Sequence, residues 1–232
     1  MLKTEIKTVL EAARTRGWVS EPDAKRLLSA AGLEVPRFVT VTDPDQIEPV
    51  AADLGFPMAA KVVSSRIVHK SDVGGVRTGI ETIRELTAVF ESFSRLDGFE
   101  AMLMEPMVSG LEMIIGAKMD DQFGPVVLLG MGGIGVEIYQ DVSLRMAPLG
   151  NADVDSMIKG LKAAPLLYGY RGRQAVNRDE LTRTLIRFSD FVMAAADMIE
   201  SIDLNPVMCS GEKCIVADAR IMLPPMDGHT AA

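Results

Sequence analysis

The sequence predicts an α+β fold in two lobes. Hairpin-like apolar strands are mixed with helical segments instead of following the steady βαβ alternation of a doubly wound sheet. At 232 residues and 48% hydrophobic content the chain suits one large domain or two small ones with a proper core. A strand-rich stretch opens near residue 100, where a lobe change is expected although no Pro/Gly/Ser-rich linker marks it.

The N-terminal stretch places Leu2, Ile6, Val9, Leu10 and Ala13 at helical spacing with charges between them. Ser20-Glu21-Pro22-Asp23 reads as a second helix start, with Ser20 as N-cap and an early proline, and Gly32 marks its end. A short strand at Val35–Val41 follows, then a helix opened by Asp43-Pro44 and closed by Gly55, then an apolar strand at Pro57–Val63. A helix over Ile83–Leu96 leads to Gly98, and Glu100 to Val127 is mostly strand, interrupted at Ser109-Gly110 and Asp120-Asp121. Helices around Asp153–Lys162 and Arg178–Ile199 precede a final strand pair.

Charge narrows the function classes. A net charge of −8 and a pI near 4.9 argue against a general nucleic-acid or anionic-membrane binder, which needs clustered positive charge. The N-terminus lacks the continuous apolar run of a signal peptide, and no segment is long and apolar enough to span a bilayer, so a cytoplasmic protein is expected. Cys209 and Cys214 flank SGEK without other cysteines or nearby histidines, and read as a reduced pair at a turn.

Three stretches carry chemistry. Lys61 to Gly79, KVVSSRIVHKSDVGGVRTG, places a strand lysine, His69 and the diglycine Gly74-Gly75 together. Such glycines let backbone N–H groups approach a phosphate, a lysine neutralises its charge, and a histidine can carry a phosphoryl group covalently. A buried lysine without a partner would be costly, which favours a working role for Lys61. A lone histidine is otherwise usually structural. Gly130-Met-Gly132-Gly-Ile-Gly135 satisfies a dinucleotide fingerprint, but the following VEIYQDVSL alternates like a strand where a Rossmann turn must open a helix. A glycine-rich turn between strands is expected instead.

The third stretch is the terminal hairpin, SIDLNPVMC-SGEK-CIVADARIM. If Cys209 faces Cys214, Asn205 lies opposite Asp218 and Asp203 opposite Arg220. Strict alternation would then put these four on one face and Ile202, Leu204, Met208, Ile215, Ala217, Ala219 and Ile221 on the other. The oxygen cluster suits Mg²⁺; a solvated face with an Asp–Arg pair accounts for the same residues.

With the blocks HKSDVGGV, EPMVSGLEMIIGAKMDDQFGPVVLLGMGGIGVEI, DVSLRMAPL, PLLYGYRG and DLNPV followed by DARI, nearly the whole chain resembles the ATP-grasp fold. The resemblance is specifically to the β subunit of ADP-forming acyl-CoA synthetases, relatives of the succinyl-CoA synthetase β subunit. It implies two α+β lobes with nucleotide between them, arranged as an N-terminal helix (1–20), a first lobe (21–104), a second lobe (105–224) and a flexible tail (225–232) containing His229. It implies that Lys61 contacts nucleotide phosphates, that Gly74 and Gly75 form the phosphate-covering turn, and that Glu105, Pro106 and Val108 belong to an adenine-binding hinge. It further implies that Glu112 binds ribose and that Asp203, Asn205 and Asp218 hold Mg²⁺. Arg145 or Arg220 would stabilise the transferring phosphoryl group, a salt-bridge role being the alternative for each, and His69 would carry phosphate between ATP and a histidine of an α subunit in an α₂β₂ assembly.

Family members commonly carry an acid two positions before Asp203, where this chain has Ser201 with Glu200 one position earlier, and Ile134-Gly135 is unusually glycine-rich. The rival readings are an ATP-grasp carboxylate–amine or carboxylate–thiol ligase working through an acyl phosphate, and a nucleotide-sensing module that transfers nothing.

Overall fold

A computed structural model describes residues 2–133, 141–172 and 174–225. Its contacts divide the chain into a central unit, Pro36–Val108, and a flanking unit formed by Met1–Val35 with Ser109–Ala232. Residues 21–35, grouped with the first lobe in the sequence reading, fall in the flanking unit.

The flanking unit begins with α1 (Leu2–Ala13), β1 (Trp18–Val19) and α2 (Glu21–Ala30). Ser20 caps α2 as expected, its hydroxyl accepting from the Asp23 amide. The central unit comprises β2 (Val39–Val41), α3 (Ile47–Leu54), β3 (Met58–Ser64), β4 (Val76–Ile80), α4 (Ile83–Phe93) and β5 (Phe99–Pro106). The chain then re-enters the flanking unit through β6 (Leu111–Asp120), β7 (Gly124–Met131), β8 (Val142–Met146), α5 (Asn151–Gly160), α6 (Arg178–Ala195), β9 (Ser201–Cys209), β10 (Cys214–Val216) and β11 (Arg220–Met222).

Two antiparallel sheets result. The larger runs β1-β11-β9-β6-β7-β8 with β10 beside β9, and the smaller runs β2-β5-β3-β4. In the larger sheet Met113, Ile115, Val127, Leu129 and Leu204 point into one core with Ile6 of α1, Leu27 of α2, Met157 of α5 and Phe188 of α6. The period-two alternation of β6 and β7 thereby leaves Ile114, Gly116 and Leu128 on the opposite face. In the smaller sheet Met58, Ala60, Val62, Met102 and Met104 pack against Ile47 of α3 and Leu86, Phe90 and Phe93 of α4. Thr82 and Glu85 close a capping box at the start of α4.

Several expected elements shrink. The strand expected over Val35–Val41 is only β2, the Asp43-Pro44 signal opens a short 3-10 turn before α3, and the last helix stops at Ala195. The strand β4 and a 3-10 turn at Ala164–Tyr168 were not expected. Three of the five residues of β4 are exposed, so no apolar alternation announces it. Among the described residues no helix is long and apolar enough to cross a membrane.

Candidate active site

In the central unit β3 and β5 pair so that Lys61 stands opposite Leu103 and Ala59 opposite Glu105. Lys61 and Glu105 are therefore diagonal neighbours on the face away from α3 and α4. The Lys61 ammonium lies 3.0 Å from the Glu105 carboxylate, with the side chains 6% and 3% exposed. This corrects the sequence argument that a structural Lys61 would be buried without a partner. It also gives Glu105 a side-chain role beyond the backbone-hinge place expected for it. Beyond Glu105, the Met107 amide donates to the Pro57 carbonyl, and the unit ends at Val108, within the segment read as the hinge.

The connection from β3 to β4 carries His69 and the diglycine. Ser64 organises its start, its hydroxyl accepting from the Arg66 and Ile67 amides and donating to the Asp97 carbonyl. Gly74 has φ +68°, a left-handed conformation that glycine adopts freely. A Cβ on Gly75 would lie 2.5 Å from Val62 Cγ1 and 3.0 Å from the Lys70 carbonyl. The amides of both glycines are used inside the loop, that of Gly74 donating to the Ser71 carbonyl at 3.2 Å and that of Gly75 to the Lys70 carbonyl at 2.7 Å. Local geometry thus accounts for both glycines, and neither amide is turned outward in this conformation. His69 is exposed on the same connection.

In the flanking unit the hairpin register is as expected. Cys209 pairs with Cys214 and Asp203 with Arg220, so the unbroken numbering places Asn205 opposite Asp218. The faces differ from strict alternation. Val207, Cys209, Cys214 and Val216 are buried, whereas Met208, Ile215 and Ala217 are only partly so. Against β6, β9 carries one extra residue between the Ile115↔Leu204 and Met113↔Val207 pairs, and this bulge at Asn205-Pro206 switches the inward parity. Asn205 is consequently exposed. Asp203 lies 3.2 Å from Arg220, and Asp218 Oδ1 accepts from the Ala219 amide at 2.8 Å.

This donor set fits Mg²⁺ on chemical grounds. Asn205 and Asp218 present oxygen atoms at the bulge, while Asp203 is shared with Arg220. Among the described residues no group of three or more His, Cys, Asp or Glu could hold a metal. A few protein oxygens suffice for an ion that keeps waters and shares substrate phosphates.

One transverse row of the sheet explains the surroundings, for Arg220, Asp203, Gly116, Leu128 and Leu144 are successive ladder partners. Polar chemistry occupies the β11–β9 end and apolar surface the β7–β8 end. Between them a cleft of about 540 Å³ is lined by Ile114, Gly116, Leu128, Leu144, Phe123 and Asp203. Arg145 sits on the other face, where its guanidinium donates to Ser156 Oγ of α5 at 2.6 Å. It therefore serves the β8–α5 contact and does not face Asp203.

Glu112 meets the glycine-rich turn. Its carbonyl accepts from the Gly132 amide at 2.7 Å, and a Cβ on Gly132 would come within 2.8 Å of the Glu112 backbone. Gly132 is thus required for close approach to β6, a reason unrelated to dinucleotide binding. Ile134-Gly135, most of the following strand expectation and His229 lie outside the described residues.

Comparison with known proteins agrees with this geometry. A family profile described as an ATP-grasp domain matches residues 10–223. The chain belongs to the ATP-grasp family. The β subunit of acetate–CoA ligase [ADP-forming] I from Pyrococcus furiosus is 34% identical to this ATP-grasp chain, over 88% of it and 90% of the relative. Acetate–CoA ligase [ADP-forming] I of Archaeoglobus fulgidus is 35% identical over 94% of the chain, which spans 32% of that longer protein. Among solved structures, a chain of the dinucleotide-forming acetyl-coenzyme A synthetase 1 of Ca. Korarchaeum cryptofilum superposes with a TM-score of 0.82 at 34% identity, covering 94% of this chain and 100% of the other. That structure is in complex with coenzyme A and Mg-AMPPCP, its phosphohistidine segment pointing towards the nucleotide-binding site.

Proposed function

We propose that this ATP-grasp chain is the nucleotide-binding β subunit of an ADP-forming acyl-CoA synthetase. It acts within the reaction acyl-CoA + ADP + phosphate ⇌ carboxylate + CoA + ATP. The observation that carries the reading is the extent of the likeness to a β subunit, about nine-tenths of both chains, together with His69, Asn205 and Asp218 standing in the blocks that carry it and Lys61 shortly before the first of them.

In the ATP-consuming direction an imidazole nitrogen of His69 attacks the γ-phosphorus, the P–N bond forms as the P–O bond to ADP breaks, and phosphohistidine passes its phosphoryl group to an α-chain histidine. Lys61, held by Glu105, offsets phosphate charge. The backbone from Glu105 to Val108 seats adenine, Glu112 takes the ribose, and Gly74-Gly75 lets the covering loop turn. Asn205 and Asp218 hold Mg²⁺ with Asp203 beside them, and Arg220 faces the developing charge. Bound there, Mg²⁺ would supply charge neutralisation across the phosphates. The working form is a cytoplasmic α₂β₂ assembly in which the α chain brings the CoA chemistry.

The test is incubation of the chain and its α-reconstituted complex with γ-labelled ATP-Mg²⁺. Acid-labile label on His69, lost in His69→Ala, is the expected result. An active complex that never labels His69 would sink this route and favour an acyl-phosphate ligase of the same fold.

A further inference from the structure

The chemistry above leaves the PLLYGYRG block unused, and it forms an unusual piece of surface. Leu167 is buried in the flanking-unit core, and the Val176 amide closes back on its carbonyl at 3.0 Å. The Asn177 amide then donates to the Ser210 carbonyl at 2.8 Å, tying the far end of the loop to the β9–β10 hairpin. From this anchored base Tyr168 and Tyr170 project with 48% and 49% of their surface exposed. Arg178 lies over the Tyr168 ring at 5.2 Å and Arg171 over the Tyr170 ring at 5.3 Å.

Arg171 stands out twice. Among the described residues it is the one non-glycine residue with positive φ, at 48°. Arg178 is neutralised by Asp155 at 3.1 Å, whereas Arg171 has no ion pair among the described residues. From Tyr168 through Arg178 the sequence holds three arginines and no acid, within a chain of net charge −8. A left-handed arginine is disfavoured for folding alone, and such strain collects where a side chain is aimed for use. Tyrosine and arginine on a rigid base are the composition of protein–protein anchors, since they offer large contact area with little ordering entropy.

We propose that the Tyr168–Arg171 loop is a docking anchor for the α chain, its tyrosines packing on the partner and the Arg171 guanidinium taking a partner carboxylate. This rests on the β-subunit reading given above. Charge complementarity names the occupant's chemistry, an acidic face, because no anion stands against Arg171 among the described residues.

Arg171→Gly is the decisive variant, since glycine adopts the same backbone without strain. The complete chain is titrated with the α chain that reconstitutes acyl-CoA-dependent ATP formation, and association is followed by calorimetry at low and high salt. Arg171→Gly is expected to melt at or above the wild-type temperature and to bind Mg-ATP unchanged. It should need at least tenfold more α chain for half-saturation, with reduced salt dependence, and Tyr168→Ser/Tyr170→Ser should weaken association further. Wild-type affinity in Arg171→Gly overturns the proposal. So does a lowered melting temperature that accounts for the lost binding, which would make the loop structural. Sedimentation of the chain alone covers the remaining occupant, for self-association abolished by Arg171→Gly would assign the loop to a second copy and overturn the α-chain assignment. Failure of the β-subunit reading is separately visible as a wild-type chain that takes no label from ATP and responds to no α chain, and it removes this proposal with it.

Discussion

Lys61 and Glu105 illustrate what one residue can and cannot announce. A lysine in an apolar strand is visible in the sequence, but its partner lies forty-four positions away and is brought diagonal to it only by the β3–β5 register. Removing one member of a buried pair leaves the other charge uncompensated, so Glu105→Ala is expected to lower stability by about 3–5 kcal/mol, measured by urea unfolding. The double change Lys61→Met/Glu105→Leu should recover much of that loss while abolishing nucleotide binding, which separates folding from function. Cys209 gives a second expectation at this scale. Its hydrogen bond with Cys214, followed by burial, raises the thiol well above its ordinary value. A raised folded value means stability present below the unfolded thiol's pKa, about 8.5, and lost as pH rises beyond it. Native protein should therefore resist iodoacetamide at pH 8 and be alkylated promptly once unfolded; fast native labelling would contradict the buried, protonated Cys209 thiol.

At the scale of elements, the loop from β3 to β4 is set by glycine geometry. A Cβ at Gly75 would drive into Val62, a contact of 2.5 Å that packed strand atoms cannot yield cheaply. Gly75→Ala is expected to cost about 1–3 kcal/mol and to displace the His69 connection, seen as a lowered melting temperature with reduced phosphohistidine formation. The terminal hairpin was legible because its turn is short and flanked by matching apolar runs, which fixed the Cys209↔Cys214 and Asp203↔Arg220 pairs. Its inward faces were not legible past Asn205. A bulge depends on how β9 meets β6, and neither strand's own sequence states that. The same limit hid the reason for Gly132, which lies in its approach to Glu112 on a neighbouring strand.

For the whole molecule, two cores serve two units, one built from the smaller sheet with α3 and α4 and the other from the larger sheet with the remaining α-helices. Ligand that binds only the folded chain stabilises it by about 2.7 kcal/mol at a hundred times its dissociation constant. Mg-ATP at that excess should accordingly raise the melting temperature by about 5–10 °C for a chain of this length. Asp218→Asn should abolish most of the Mg²⁺-dependent part of this shift, and an unchanged shift would remove Asp218 from the metal site. By itself the sequence determined the α+β class, the order of the main elements, the hairpin register and, through its motif blocks, the ATP-grasp resemblance, because short-range periodicity and turn chemistry are written locally. Only the tertiary structure decided that Lys61 is paired with Glu105, that Arg145 faces α5, that α2 packs with the flanking unit and that Arg171, strained and without an ion pair among the described residues, lies over the Tyr170 ring. Those facts depend on which distant segments share a sheet face, and that is fixed by packing across the chain and not by any stretch of it.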